Sequence, residues 1–294
     1  MRHAPHQPEP DVGFVEVADR VWVSRRGWYD VNLTAVGGER GTVLIDTHGS
    51  EAAGRAVLDD LAAQGIGPVV AVVNTHAHHD HVLGNAALRS SYPDVPVIAH
   101  EAALAEIEEW DRDPAGLPLD APRREEVLAS RVTVPDTTFS SVHVIDLGDR
   151  AVELVHPGPA HTGGDLVARV TDPAGTADVL VVGDLVEESD VPSYGPDSHP
   201  LSWPLALDLV IGLTGPDTVV VPGHGRLVGR ELVEEQRNDI GTVAETVRDL
   251  VDRGVPLDDA LGAASWPYPA ERLAHAVARG YDALPRARRR LPLV

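Results

Sequence analysis

Val69-Val70-Ala71-Val72-Val73-Asn74-Thr75-His76-Ala77-His78-His79-Asp80-His81 is the stretch on which the reading of this chain turns. Its first half, Val69–Asn74, is a nearly unbroken apolar run rich in β-branched valine. That is the pattern of a strand covered on both faces. Its second half packs ligand-type side chains into six positions, His76, His78, Asp80 and His81. In an extended segment, residues two apart point the same way, so His76 and His78 reach one ion from one side. A helix is expected from about Asp80 to Ser90, and the turn into it aims Asp80 and His81 toward a second, nearby ion. By the same alternation His79 points away and is not a ligand. The plainer alternative has Asp80 as a helix N-cap and the histidines as solvated turn residues; so dense a cluster of ligand types rarely arises by chance.

Working outward, short β-branched runs separated by turn residues predict strands at Phe14–Val17, Val21–Ser24, Val31–Val36 and Thr42–Asp46. Ser50–Gln64 carries Ala53, Val57, Leu58 and Leu61 at helical spacing, with Ser50 as N-cap. Val95–Ala99 is a further strand, and 101–131 is helical with a Pro-rich interruption at 114–122. Strands return at Ser141–Leu147, Ala151–His156, Leu166–Thr171, Val179–Gly183 and Val219–Pro222. A loop over 186–203 and helices at Trp203–Leu213 and Glu231–Arg253 complete a second series. Two series of similar plan predict two sheets packed face to face with helices outside both. The expected organisation is a flexible N-terminus over 1–12, a catalytic domain over 13–253 and a helical extension over 254–294 that ends in Arg286–Arg290.

Three more candidates repeat one geometry, in which an apolar strand ends and a ligand type stands at its tip. His161 follows Val155 in a Gly/Pro-rich segment, Asp184 follows Val181-Val182-Gly183, and His224 follows Val219-Val220-Val221-Pro222-Gly223. Each alone reads equally well as a turn residue or cap; together they form a pattern.

Composition bounds the alternatives. The formal net charge is −22, and all 24 basic residues are arginine. That argues against a nucleic-acid surface, which needs clustered cations, and against anionic membranes. With no cysteine, disulfides, thiolate ligands and cysteine nucleophiles are excluded. No apolar run has the length of a signal peptide or a membrane span. A cytoplasmic protein acting on a small molecule is the expectation, and the helices after residue 254 either complete the domain, cover the site or pair with a second copy.

The block His76-Ala77-His78-His79-Asp80-His81, followed in order by His161, Asp184 and His224, resembles the metallo-β-lactamase superfamily pattern. Leu44-Ile45-Asp46-Thr47 is similar to that family's first motif, and the likeness runs over about residues 14–253. It implies an α+β fold, the four-layer αββα sandwich. It implies two Zn²⁺ ions per chain, iron or manganese being the alternatives for the same N and O donors. His76, His78 and His161 would hold one ion and Asp80, His81 and His224 the other. Asp184 would bridge them, and Asp46 would orient ligands without touching metal. The implied chemistry is hydrolysis of a carbonyl group (ester, thioester, lactone or amide, β-lactams included) by a metal-bound hydroxide that Asp80 steers. The alternative is an iron-dependent redox member, like a persulfide dioxygenase or a di-iron O₂/NO reductase. Asp184 stands where one β-lactamase subclass has cysteine, which points toward the glyoxalase II-like and lactonase-like branches. In a chain with 4% aromatics, Trp28, Tyr29, Tyr194 and Trp203 are the candidates for an apolar pocket wall, and Arg25 or Arg26 for a substrate carboxylate.

Overall fold

The computed structural model describes residues 11–112, 123–171 and 178–284. Most of the expected N-terminal segment, the Pro-rich 114–122 stretch and Arg286–Arg290 lie outside the described residues. The first half of the chain forms strands β1 (Val15–Ala18), β2 (Val21–Arg26), β3 (Val31–Gly38) and β4 (Gly41–Ile45), helix α1 (Glu51–Ala63) and strand β5 (Val69–Val73). Helices α2 (His79–Val82) and α3 (Asn85–Ser91), strand β6 (Val97–His100), helices α4 (Glu101–Arg112) and α5 (Arg124–Ala129) and strand β7 (Thr137–Phe139) follow. The second half forms β8 (Val142–Asp146), β9 (Ala151–Val155), β10 (Val167–Val170), β11 (Val179–Glu187), α6 (Trp203–Leu213), β12 (Val219–His224) and α7 (Arg230–Asp252), then α8 (Leu257–Ala260) and α9 (Ala274–Ala283).

Side chains on these strands alternate between two cores, as a strand covered on both faces requires. In β4, Val43 and Ile45 face inward and meet Leu154, Ala168, Val181 and Val221 of the second half. Leu44 between them faces outward and packs with Val57, Leu61 and Leu88 of α1 and α3. In β11, Val181 faces the shared core while Leu180 and Val182 face Leu207, Val210, Ile240 and Val243 of α6 and α7. Three apolar layers between four structural ones make the αββα sandwich, and each large aliphatic side chain so buried contributes about 1.5–3 kcal/mol. The strand order β7-β6-β5-β4-β3-β12-β11-β10-β9-β8 is hydrogen-bonded throughout, because Val31 of β3 pairs with His224 of β12. The last helices lie on α7, where Ala260 and Val277 meet Val247 and Leu250.

Three local features differ from the sequence expectation. The helix expected over Asp80–Ser90 is two pieces, α2 and α3, parted at Leu83-Gly84. There the chain is pressed against the β4–α1 connection, with Gly84 N donating to His48 O at 2.9 Å. Strand β7 has no periodic signal in the sequence, three residues being too short for one; it is specified by pairing with β6. Strand β11 runs on to Glu187, so Asp184 lies inside a strand and not at its tip. Gly183, at φ +53, breaks the register there, and a Cβ on it would stand 2.7 Å from Thr75 Oγ1. Only glycine allows both that left-handed backbone and that close approach.

Candidate metal centre

Five histidines and two aspartates converge from four separate segments: the turn after β5, the β9–β10 connection, the interior of β11 and the end of β12. One set is His76, His78, His161 and Asp184, and another is Asp80, His81 and His224, the ligand atoms of each set lying within 4.8 Å of one another. His78 Nδ1 is 2.9 Å from His161 Nε2. Asp184 Oδ2 lies 3.3 Å from His161 Nε2 and 3.7 Å from His76 Nε2. Its Oδ1 lies 3.2 Å from both His81 Nε2 and His224 Nε2. One carboxylate thus faces both sets. Asp80 Oδ2 closes the second at 3.4 Å from His224 Nε2 and 3.6 Å from His81 Nε2.

The outer nitrogen of every one of these histidines is spoken for. His161 Nδ1 is 2.9 Å from Ser193 O and His224 Nδ1 is 2.8 Å from Tyr29 O. A carbonyl only accepts, so both nitrogens carry the proton. His81 Nδ1 donates to Asp46 Oδ2 at 2.9 Å, and His78 Nε2 to Asp197 Oδ2 at 2.9 Å. Thr75 gives its own hydroxyl proton to Asp46 Oδ2, so at 3.0 Å it accepts from His76 Nδ1. In their neutral forms all five rings therefore turn a bare lone pair inward, toward two carboxylates. His76 Nε2 and Asp184 Oδ1 are buried with no hydrogen-bond partner among the described residues. With the imidazoles neutral, seven acceptors face one another without a donor, an arrangement that fits cations.

Asp46 anchors this arrangement from an uncommon backbone, φ +60, accepting from Thr75 N–H and Thr75 hydroxyl, each at 2.8 Å, besides His81. Strain of that kind is tolerated where surrounding bonds over-determine it. His79 turns away from the seven and bonds Tyr29 Oη at 3.1 Å through Nε2.

Electrostatics before metal uptake follow from the same crowding. Burial works against a charged His78, yet Asp197, Asp80 and Asp184 outweigh it and raise its pKa to about 9. Burial also opposes a charged His224, and Asp184, Glu187 and Asp80 raise it to about 10. His76 goes the other way, pulled well down by burial and by His81. His78 and His224 thus hold protons at pH 7 that a metal must displace. Uptake of a divalent metal at pH 7 is expected to release protons, and affinity to fall as the pH is lowered. Calorimetric titration in buffers of different ionisation enthalpy measures this; heats that do not depend on the buffer would contradict it.

The remaining candidates divide. Trp28 stacks on Tyr29 at 4.7 Å between ring centroids and stands 5.3 Å from His48, with the Arg123 guanidinium 4.3 Å over its ring. Both aromatics are partly exposed beside the second set. Trp203 has no exposed surface and Tyr194 only 5%. They pack into the α6/α7 core, with the Trp203 ring 5.6 Å from His161, so they back a ligand instead of forming a wall open to substrate. Arg25 pairs with Asp30 at 2.5 Å and buried Arg26 with Asp60 at 2.6 Å. Both cations offered for a substrate carboxylate are turned to carboxylates of the chain. The partners Ser193, Tyr29 O, Thr75 and Asp197 escaped sequence reasoning. A backbone carbonyl leaves no mark in a sequence, and Asp197 is one acid among many; only Thr75, inside the decisive stretch, carried a hint.

A family model described as the metallo-β-lactamase superfamily matches residues 26–224. The chain belongs to the metallo-β-lactamase superfamily. Among superfamily relatives, "Metallo-beta-lactamase type 2" of Bacillus cereus is 24% identical over 196 residues, 66% of each chain. "Metallo-beta-lactamase domain-containing protein 1" of Rattus norvegicus is 30% identical over 191 residues, 63% of this chain and 62% of that one. In three dimensions, a metallo-β-lactamase from Pontibacter korlensis superposes with a TM-score of 0.62 at 23% identity, over 77% of this chain and 97% of the other. That likeness is one of fold. Among the described residues no helix of this superfamily member is long and apolar enough to cross a membrane.

Proposed function

We propose that this chain is a dinuclear zinc-dependent hydrolase that attacks the carbonyl of a small substrate, an ester, thioester, lactone or amide (β-lactams included), and breaks its acyl–oxygen, acyl–sulfur or acyl–nitrogen bond. What carries the reading is the set of seven inward lone pairs in two groups that share Asp184. His76, His78, His161 and Asp184 would hold one ion, and Asp80, His81, His224 and Asp184 the other. When bound, two such ions lower the pKa of water toward about 7 and polarise a carbonyl oxygen. Asp80 orients the attacking water by accepting a hydrogen bond. In the metal-free centre burial opposes its charge, but His81, His79 and His224 outweigh that and hold its pKa at about 2, so Asp80 is an ionised acceptor there.

Trp28 and Tyr29 supply the apolar surface for the acyl part. The test is elemental analysis of protein purified without chelator, with a hydrolysis screen over nitrophenyl esters, thioesters, lactones and β-lactams. Close to two zinc ions per chain are expected, with turnover lost on chelation and restored by Zn²⁺. A chain that cannot be reconstituted by zinc overturns the proposal, and iron with O₂-dependent turnover replaces it by the redox alternative. On whichever substrate turns over, Trp28→Ala is expected to lower kcat/KM by roughly tenfold, the 1–2 kcal/mol of a lost aromatic contact, with metal content unchanged. An unchanged kcat/KM would remove this turn from the pocket.

A further inference from the structure

We propose that Asp197, on the loop between β11 and α6, is a positioning residue that fixes the tautomer of His78 and sets the affinity of the first metal. This rests on the metal reading above but concerns a residue outside the seven ligands.

His78 differs from the other four histidines. They turn Nε2 inward, whereas His78 turns Nδ1 inward, 2.9 Å from His161 Nε2, and sends Nε2 outward to the loop. Which nitrogen keeps the proton therefore decides whether His78 is a ligand at all. A carboxylate can only accept, so Asp197 Oδ2 at 2.9 Å holds the proton on Nε2 and leaves Nδ1 bare. Three of the other histidines lean on uncharged oxygens, of Thr75, Ser193 and Tyr29. The fourth, His81, leans on the carboxylate of Asp46. Each half of the centre thus has one carboxylate-backed imidazole: His81 by Asp46 in the second, His78 by Asp197 in the first. A carboxylate behind an imidazole raises its basicity and fixes its ring, and loss of such a partner costs roughly 10–100-fold in metal affinity.

The loop is shaped to hold this carboxylate. Ser198 N donates to Gly195 O at 3.2 Å, closing the chain around Asp197, and His199 N donates to Ala160 O at 2.7 Å, tying the loop to the segment that carries His161. A Cβ on Gly195 would stand 2.2 Å from Asp197 Oδ1, so the glycine leaves the carboxylate its room. Glu106 of α4 brings a carboxylate oxygen within 4.8 Å of the His78 and Asp197 atoms. The proton between His78 and Asp197 makes that trio an outer partner set and not a third cation site.

The experiment titrates the chelator-stripped full chain with Co²⁺, following the ligand-field absorption of each site, and records the imidazole N–H proton resonances. The wild type is expected to bind two ions and to show a His78 Nε2–H resonance protected from exchange. Asp197→Ala is expected to lose that resonance and to weaken one ion by roughly 10–100-fold, leaving the other within about threefold. Asp197→Asn keeps an acceptor without the charge and falls between. Gly195→Ala, which crowds the carboxylate, behaves like Asp197→Ala. Asp190→Asn, on the same loop but paired with Arg272, leaves both affinities unchanged. A wild type that takes up no Co²⁺ overturns the metal reading and this proposal together. A wild type that binds two ions while Asp197→Ala binds both equally well overturns this proposal alone. If Asp197→Ala does not fold, Asp197→Asn decides: wild-type affinity with an unchanged N–H resonance rejects the assignment.

Discussion

Asp184→Ala is expected to lower hydrolysis by a thousandfold or more and to leave the chain with at most one tightly held ion. Among the described residues its side chain is the one anion that faces both histidine sets, Oδ2 toward His161 and His76, Oδ1 toward His81 and His224. Without it the first set is three neutral imidazoles, and the second keeps one carboxylate, Asp80. Alanine also opens a space that admits water without restoring charge. Metal ions contribute several kcal/mol of charge stabilisation to hydrolysis, and each ~1.4 kcal/mol is a factor of ten, which gives roughly 10³-fold. His79→Ala is the comparison. His79 sits between two ligands in sequence, but its Nε2 bonds Tyr29 Oη, and its Nδ1 stands 3.9 Å from Asp80 Oδ1, outside both ligand sets. It is expected to keep both ions and to lose less than about fivefold in rate, the ~1 kcal/mol of one hydrogen bond. Elemental analysis and kcat/KM of the two variants decide. Equal losses of metal would mean that the first cluster is assigned wrongly.

Gly84→Ala should be the most damaging small substitution away from the centre. Gly84 has an ordinary helical φ of −69, so backbone strain is not the reason. A Cβ there would lie 1.8 Å from Thr47 O and 2.6 Å from Thr47 C. Both are backbone atoms that cannot rotate aside. Thr47 N and Oγ1 in turn bond His81 O, and Asn85 Oδ1 accepts from Thr47 Oγ1. Making room means moving the β4–α1 connection away from α2, which carries Asp80 and His81. Overpacking of this kind costs about 3 kcal/mol. For a chain of this size that is a fall in Tm of roughly 6–12 °C. The second ion should weaken with it, because the displaced segments carry Asp46, Asp80 and His81. Thermal unfolding with and without zinc measures both effects, and a Tm within 2 °C of the wild type, a bound chosen from that same scaling, would show that the approach relaxes at little cost.

The sequence by itself determined the sandwich and the seven inward groups. The reason is that both depend on local signals. Valine-rich runs specify strands covered on two faces wherever they lie, and Val69–Val73 leads straight into His76-Ala77-His78-His79-Asp80-His81. Alternation alone separated His79 from its neighbours. The tertiary structure alone decided what stands behind those ligands. Tyr29 O reaches His224 and Ser193 O reaches His161 across 195 and 32 positions, and Asp197 reaches His78 across 119. Side-chain periodicity carries no information about a carbonyl, and none about which of many surface acids a folded loop turns inward. Trp203 shows the same limit from the other side. Its place next to a loop fitted a pocket wall equally well, but the α6/α7 core closed over it completely. Burial is a property of what packs on a residue, and for Trp203 that packing brings together separate segments: Tyr194 of the loop, His161, Leu185 of β11 and the α7 side of the core.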